Sequence, residues 1–260
     1  FDLKTMTLKG EHKIFDAFNV PFSGPVVSPD GKYISAGFND DIIRLINLET
    51  FKIDFASKKE EGKVQRIHFD KKGKYLYTYN HQWMLRVWNY ETKKMQHEWK
   101  VKDMAGVQSF VSHPLQDVLI EASSIYGRIR YRNVETGDYE SEYTQKINKI
   151  VSMDYSKNGK YLAVASDKAR IKVWNLKNNK VESELIAFFP VKFNAKGDQV
   201  FAMAADMRIG IFDIKRNKRV GQLDCDMELI QTLAISEDGK YLAGAGFTGI
   251  VKIWDLEKKK

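Results

Sequence analysis

The stretch Ile171 to Leu176, IKVWNL, decides the fold, because a close copy of it, VKIWDL, recurs at Val251 to Leu256. Each copy alternates apolar side chains and ends in Trp followed by Asn or Asp. Pairs of this kind place their Asp or Asn at positions 2, 47, 89, 133, 175, 213 and 255, at intervals of 45, 42, 44, 42, 38 and 42 residues. A period of about 40–45 residues indicates one repeated supersecondary unit.

A short glycine turn keeps the same period. A phosphate-binding loop needs several glycines before a helix, whereas each copy here has one glycine and no helical pattern after it. We therefore predict β-turns between the first and second strands of each unit, with the glycine at positive φ and Asp accepting local backbone hydrogen bonds. The copies are SPDGKY (Ser28 to Tyr33), KKGKY (Lys71 to Tyr75), KNGKY (Lys157 to Tyr161), EDGKY (Glu237 to Tyr241) and the weaker AKGDQ (Ala195 to Gln199).

The unit from Ile150 to Asn179 shows what each repeat builds. Its runs IVSMDYS, KYLAVAS and RIKVWNL alternate at period 2 and predict three strands, and the following VESELIA supplies a fourth. Hardly any stretch of the chain carries apolar residues at helical spacing. The sequence therefore predicts a nearly all-β fold.

These features resemble the WD-repeat β-propeller family, over essentially the whole chain. The resemblance implies an all-β propeller of four-stranded antiparallel blades, with six repeat units in this chain. The family's Gly-His pair is nearly absent, so we expect an incomplete histidine network and blades held mainly by hydrophobic packing. At the position of the family's tryptophan the copies have Trp88, Trp174 and Trp254, Phe1 and Phe212, and the departures Ile46 and Arg132.

The number of blades in the parent protein stays open between six and seven. The chain starts with FDLKTMTLKG, a strand end followed by a fourth strand, and VKIWDL lacks a fourth strand of its own. Pairing of these two segments would close a six-bladed ring and remove exposed sheet edges. The truncated start of FDL instead indicates a preceding blade. We expect residues 1–260 to form a single domain, as part of a longer chain.

Composition favours an intracellular globular protein. The chain has 260 residues, of which 43% are hydrophobic and 29% charged, and no apolar run reaches the ~20 residues of a membrane span. Cys225 is the only cysteine, and no signal-peptide pattern begins the sequence. We expect the cytoplasm, the nucleus or the nucleolus as the compartment.

Catalytic patterns are missing from the sequence. The five histidines are spread along the chain, and no two lie at i, i+4 or in an HExxH-like arrangement. No serine lies in a GxSxG motif. We predict no enzyme activity, catalytic residue, metal, cofactor or small-molecule substrate. The weaker alternative is an enzyme whose catalytic residues come together at the central channel of the propeller.

The family resemblance implies a partner-binding face around the channel mouth, formed by the loops between second and third strands and by those between fourth and first strands. Aromatic, Met and Arg side chains are enriched at such contacts. Asn39, Lys168 and Met207 fall on the same turns. The predicted partner-binding residues are Phe38, Asn80, His81, Trp83, Tyr126, Arg128, Arg170, Arg208 and Phe247.

The opposite face is predicted to be basic, in a chain whose net charge is +8. Such a face would attract an acidic protein or nucleic acid phosphates. Lysine is also common in exposed β-turns, and these turns mostly lack the aromatics that stack on RNA bases. The residues concerned are Lys71, Lys72, Lys74, Lys93, Lys94, Lys157, Lys160, Lys215, Arg216, Lys218 and Arg219.

The sequence thus predicts a non-catalytic scaffold that binds other proteins or peptides within a multiprotein complex. The alternative is a ribonucleoprotein or ribosome-assembly component whose lysine-rich face contacts RNA.

Overall fold

A computed structural model describes residues 25–38, 40–58, 62–101, 107–123, 127–144, 149–225, 230–246 and 250–258. The secondary structure of these ranges is β throughout, and its strands form six antiparallel sheets, one per sequence repeat. These sheets are the blades of a β-propeller, which confirms the predicted fold class and the six units. The segment FDLKTMTLKG, invoked above for ring closure, lies outside the described residues.

The chain divides into two compact units, Phe1–Lys102 and Asp103–Lys260. The first unit contains blades 1 and 2. Blade 1 consists of β1 (Val26–Val27), β2 (Tyr33–Gly37), β3 (Ile43–Asn47) and β4 (Ile53–Ala56). Blade 2 consists of β5 (Val64–Phe69), β6 (Tyr75–Asn80), β7 (Met84–Asn89) and β8 (Lys94–Lys100).

The second unit contains blades 3 to 6. Blade 3 consists of β9 (Val107–Ser112), β10 (Val118–Ser123), β11 (Arg128–Asn133) and β12 (Tyr139–Thr144). Blade 4 consists of β13 (Ile150–Tyr155), β14 (Tyr161–Ser166), β15 (Arg170–Asn175) and β16 (Lys180–Ile186). Blade 5 consists of β17 (Phe188–Phe193), β18 (Gln199–Met203), β19 (Ile209–Asp213) and β20 (Lys218–Leu223). Blade 6 has three strands among the described residues, β21 (Ile230–Ile235), β22 (Tyr241–Gly246) and β23 (Val251–Asp255).

Strand position within a blade explains the burial patterns. In the second unit the first strands of successive blades contact one another, β9 with β13, β13 with β17 and β17 with β21. The fourth strand of blade 4, β16, alternates between exposed and buried side chains near its end, whereas the second strand, β14, is buried along its whole length. The first strand is therefore the inner one, and the fourth faces solvent.

Apolar clusters between successive blades form the cores. Leu162 and Val164, on one face of β14, pack with Ile120 and Ile129 of blade 3. The opposite face of the same strand packs against blade 5 in a second cluster. A strand covered on both faces needs apolar residues at every position, which is why KYLAVAS is almost continuously apolar. Burial of a leucine or valine such as Leu162 or Val164 contributes about 1.5–3 kcal/mol by removing the side chain from water.

The glycine turns have the predicted geometry. The five turn glycines, at positions 31, 73, 159, 197 and 239, have φ of 71°, 75°, 69°, 72° and 73°. In the second unit each turn also lies close to the turn of the preceding blade. A β-carbon on Gly197 would lie 3.0 Å from Ser156 Cβ, and one on Gly239 would lie 2.4 Å from Ala195 Cβ. Glycine is required there by close approach as well as by backbone conformation.

The three tryptophans of the repeat pairs have different polar surroundings. Trp88 Nε1 donates to Thr78 Oγ1 at 3.1 Å, and Trp254 Nε1 donates to the Asp224 carbonyl at 2.9 Å. Trp174 Nε1 is buried and has no hydrogen-bond partner among the described residues. All three indoles thus pack between blades, but their N–H groups do not have the same kind of hydrogen-bond partner.

Blade 3 has a buried ion pair in place of the tryptophan. Arg132 is 4% exposed, and its Nε donates to Oε1 of the fully buried Glu121 at 2.5 Å. Tyr139 donates its hydroxyl to Glu121 Oε2 at 3.2 Å, and its ring lies 4.2 Å from the Arg132 guanidinium carbon. Arg132 also donates to the Gly137 carbonyl at 2.7 Å. Both charges are therefore hydrogen-bonded within the blade.

Candidate functional site

In each unit, the turns between second and third strands form one edge of the blades. We call this the BC edge and define it by residues 38 and 40–42, 80–84, 167–170 and 204–208. The connections that lead from one blade to the next lie beside these turns: His81 N donates to the Lys63 carbonyl and Asp167 N to the Lys149 carbonyl, both at 3.0 Å. Side chains of the turns and of the connections therefore share one surface within a blade.

Most of these turns close around a residue in the left-handed region. Trp83 has φ of 67° and Met207 has φ of 62°, and their N–H groups donate to the carbonyls of Asn80 and Ala204 at 3.1 Å. Asp41 and Ala169 occupy the corresponding positions of their blades with φ of 64° and 53°. A side chain with a β-carbon costs about 1–2 kcal/mol in this conformation. A residue as bulky as tryptophan is rare at positive φ, and glycine would adopt this backbone conformation at a lower energetic cost.

In the first unit, the predicted partner-binding residues divide into exposed and buried ones. Trp83 is 46% exposed, and His81 is exposed beside Gln65, whose Nε2 lies 2.9 Å from His81 Nδ1. Asn80 is fully buried, and its Oδ1 accepts hydrogen bonds from two backbone N–H groups of its own turn. Phe38 is also buried, beneath the Arg44 guanidinium. Burial removes Asn80 and Phe38 from the surface that a partner could contact.

In the second unit, the BC edge presents arginines that are already paired with carboxylates. Arg170 lies 3.5 Å from Glu184, and Arg208 lies 3.2 Å from Asp224. The half-buried Arg128, at the start of β11 and outside the BC edge as defined, lies 3.7 Å from Glu142. Met207 beside Arg208 is 45% exposed.

Two further predicted residues, Tyr126 and Phe247, lie outside the described residues.

Sequence reasoning missed an exposed apolar segment on the connection between blades 4 and 5. Ile186 is 74% exposed and Phe188 is 41% exposed, although both lie next to buried residues in the sequence. The sequence signal for this segment is the run LIAFFP (Leu185 to Pro190), which is more apolar than a surface connection requires.

Several of the predicted basic residues contact neighbouring groups. Lys157 forms an ion pair with Glu237, Arg219 lies 2.9 Å from Asp206, and Lys93 Nζ donates to the Asp54 carbonyl at 3.1 Å. Lys74 and Lys160 lie over the rings of the tyrosines that follow them. The remaining members of this group are exposed turn or strand residues: Lys71, Lys72, Lys94, Lys215, Arg216 and Lys218.

Among the described residues, no group of three or more His, Cys, Asp or Glu side chains is arranged to hold a metal ion. No helix with the length and apolar character of a membrane span occurs in this part of the chain.

Comparison with known proteins shows what parts of the chain are similar to. The model of the WD domain, G-beta repeat, matches residues 140–175 and 218–255. The chain is 28% identical to transcription factor unc-37 of Caenorhabditis elegans over 44% of this chain and 19% of that protein. It is 29% identical to anaphase-promoting complex subunit cdc20 of Dictyostelium discoideum over 44% of this chain and 24% of that protein. With COMPASS component SWD3 of Saccharomyces cerevisiae it shares 26% identity over 60% of this chain and 51% of that protein.

These matches confirm the WD-repeat resemblance predicted from the sequence. The chain spans about half or less of the length of the relatives it matches.

Proposed function

We propose that this WD-repeat chain is a non-catalytic scaffold that binds partner proteins through its BC edge and holds them in one assembly. The observation that carries the proposal is Trp83, a tryptophan that is 46% exposed in a backbone conformation that favours glycine. Local stability does not explain this residue, because burial is incomplete and the backbone is strained. An exposed, rigid aromatic side chain is the residue type that anchors protein contacts.

The family matches support the same class of function. By their printed names, two of the three relatives described above are parts of protein complexes, COMPASS and the anaphase-promoting complex. The proposed contact residues are therefore the exposed ones, His81 and Trp83 in the first unit and Arg170, Met207 and Arg208 in the second. We further propose that residues 1–260 are one domain of a longer intracellular protein.

RNA binding is not part of the proposal. None of the three relatives is named for RNA, and several of the predicted basic residues are paired or packed on aromatic rings. The lysine-rich turns would instead steer acidic proteins toward the blades.

Affinity purification of the parent protein from its own cells, with and without nuclease, tests the proposal. We expect protein partners that survive nuclease and that are lost with Trp83→Ala. The matched control is Met95→Ala, which removes a side chain of similar exposure, 47%, from strand β8 of the same unit. Partners that vanish with nuclease, or that are retained equally by both variants, would contradict the proposal.

A further inference from the structure

A pocket of about 470 Å³ lies between the first strands of blades 4, 5 and 6, entirely within the second unit. Strands β13, β17 and β21 supply its walls. The pocket adjoins the BC edge, because the carbonyl of Lys149, one of its lining residues, accepts the hydrogen bond from Asp167 N in the blade 4 turn. A partner lying on this edge could therefore place a side chain in the pocket.

The charge of the described lining is positive. Lys149 and Lys192 line the pocket, and no carboxylate is among the described residues that line it. Lys192 is held by Asp154, whose Oδ1 lies 3.0 Å from Lys192 Nζ and whose Oδ2 accepts a hydrogen bond from Phe193 N at 2.8 Å. Lys149 is exposed and makes no ion pair with any described residue. One lysine is thus neutralised nearby, and the charge of the other is available to a ligand.

Uncharged hydrogen-bond donors complete the polar wall. Gln231 and Thr232 are exposed strand residues that line the pocket from β21. Ser152 lines it from β13, and its Oγ accepts a hydrogen bond from Val191 N at 3.3 Å, which leaves the hydroxyl hydrogen free to donate. Ammonium, amide and hydroxyl donors together suit a ligand group that only accepts hydrogen bonds, and an ionised carboxylate is such a group.

Exposed apolar side chains lie close to the pocket residues along the chain. Phe189 and Pro190 line the pocket, and the exposed Ile186 and Phe188 come shortly before them, on the connection between blades 4 and 5. A free inorganic anion would use the lysines but not this apolar surface. A peptide with an acidic side chain next to an apolar one would use both.

We infer that the pocket binds an aspartate or glutamate side chain of a partner protein, with a neighbouring apolar residue of the partner packed on Ile186 and Phe188. The inference rests on the proposed scaffold function and adds to it the chemistry of the bound segment. Lys149 supplies the unpaired charge, while Ser152, Gln231 and Thr232 supply neutral donors.

Nuclear magnetic resonance of the full chain, with its lysines ¹³C-dimethylated so that their charge is kept, tests this inference. The probe is the peptide acetyl-Leu-Glu-Leu-amide, and acetyl-Leu-Gln-Leu-amide is its uncharged match. We expect the glutamate peptide to shift the Lys149 and Lys192 signals in a saturable manner, and the glutamine peptide to leave them unchanged. Lys149→Gln should weaken binding about tenfold, as followed at Lys192, which corresponds to about 1.4 kcal/mol. Lys149→Arg keeps the charge and should keep the binding.

The matched control is Lys177→Gln, which removes an exposed lysine from a turn of the same unit outside the pocket. Absence of saturation with the glutamate peptide, an equal response to the glutamine peptide, or equal weakening by Lys177→Gln would overturn the inference. Inorganic phosphate binding as tightly as the peptide would also overturn it, because the apolar surface would then contribute nothing. Partner recovery through Trp83 is measured separately, so failure here leaves the scaffold proposal standing.

Discussion

Arg132 and Glu121 form an ion pair inside blade 3, with Nε and Oε1 2.5 Å apart and both side chains buried. Trp88 and Thr78 hold the corresponding two positions in strands β7 and β6 of blade 2 and are joined by an indole-to-hydroxyl hydrogen bond. In blade 3, Arg132 and Glu121 therefore stand in place of both members of the tryptophan–threonine pair. A lone arginine at the tryptophan position would leave a buried charge without a counterion.

Removing one partner of this ion pair should be costly. Glu121→Gln keeps the shape of the side chain but leaves the Arg132 guanidinium without its counterion, so the free energy of unfolding should fall by about 3–5 kcal/mol. The double variant Glu121→Thr with Arg132→Trp, which restores the blade 2 pair, should recover most of that loss. Urea denaturation of both variants gives the comparison. A loss below about 1 kcal/mol for Glu121→Gln would show that the pair is not the main support of blade 3.

Trp83→Gly should separate folding from binding. Glycine relieves the left-handed backbone at φ of 67°, so the variant should unfold at an unchanged or higher temperature, with a gain of up to about 1 kcal/mol. The same variant should lose the partners proposed to contact Trp83. Differential scanning calorimetry, together with the affinity purification, measures both quantities. A strongly destabilised variant would mean that the indole is needed by the fold itself.

A hydrogen-bond acceptor near Trp174 should stabilise blade 4. The Trp174 indole N–H is buried without a described partner, and Val164 occupies the position that Thr78 holds in blade 2. Val164→Thr should raise the free energy of unfolding by about 1 kcal/mol, the usual net value of one hydrogen bond. Val173→Thr, at another fully buried valine, offers no such acceptor role and should be destabilising by about 1–3 kcal/mol. Equal losses for the two variants would refute this explanation.

The acid dependence of the glycine turns can be tested by exchanging Asp and Asn. Hydrogen bonds from the Ser236 hydroxyl and the Lys240 backbone N–H hold the pKa of Asp238 below its usual value of 3.8. A lowered pKa in the folded state means that stability is fully present above pH 3.8 and is lost as the pH falls through the folded-state pKa. Asn158 makes the same contacts in blade 4 without a charge.

We therefore expect Asp238→Asn to reduce the loss of stability below pH 3.8 and Asn158→Asp to increase it. Chemical denaturation at pH 7 and at pH 3 measures the two changes. A parallel pH dependence in both variants and in the unchanged chain would contradict the assignment.

The sequence was sufficient to predict the blades because each of their requirements is local. Alternating side chains, a turn glycine and the Trp-Asp pair recur along the chain, and the structure has a strand or a left-handed turn at each copy that lies within the described residues. The turn glycines and the four strands of blade 4 lie where the pattern predicted them.

The surface was less predictable because exposure depends on neighbouring blades and turns. Asn80 and Phe38 looked like contact residues by their position in the turn, yet Asn80 caps its own turn and Phe38 lies under Arg44. The pocket beside Lys149 combines three strands from three repeats, and no single repeat contains its pattern. The Arg132 departure was visible in the sequence, but its partner Glu121 became apparent only from the register of β10 and β11.

The close approach of the glycine turns in the second unit determines where foreign sequence can be added. Gly197 and Gly239 have no room for even one methyl group, because the preceding turn lies against them. An epitope or fluorescent label inserted there would force two blades apart. The turn at Asn178 and Asn179, between β15 and β16, is exposed on the outer side of its blade. A label placed there would report on the assembled protein without disturbing it, since exposed turn tips tolerate insertion.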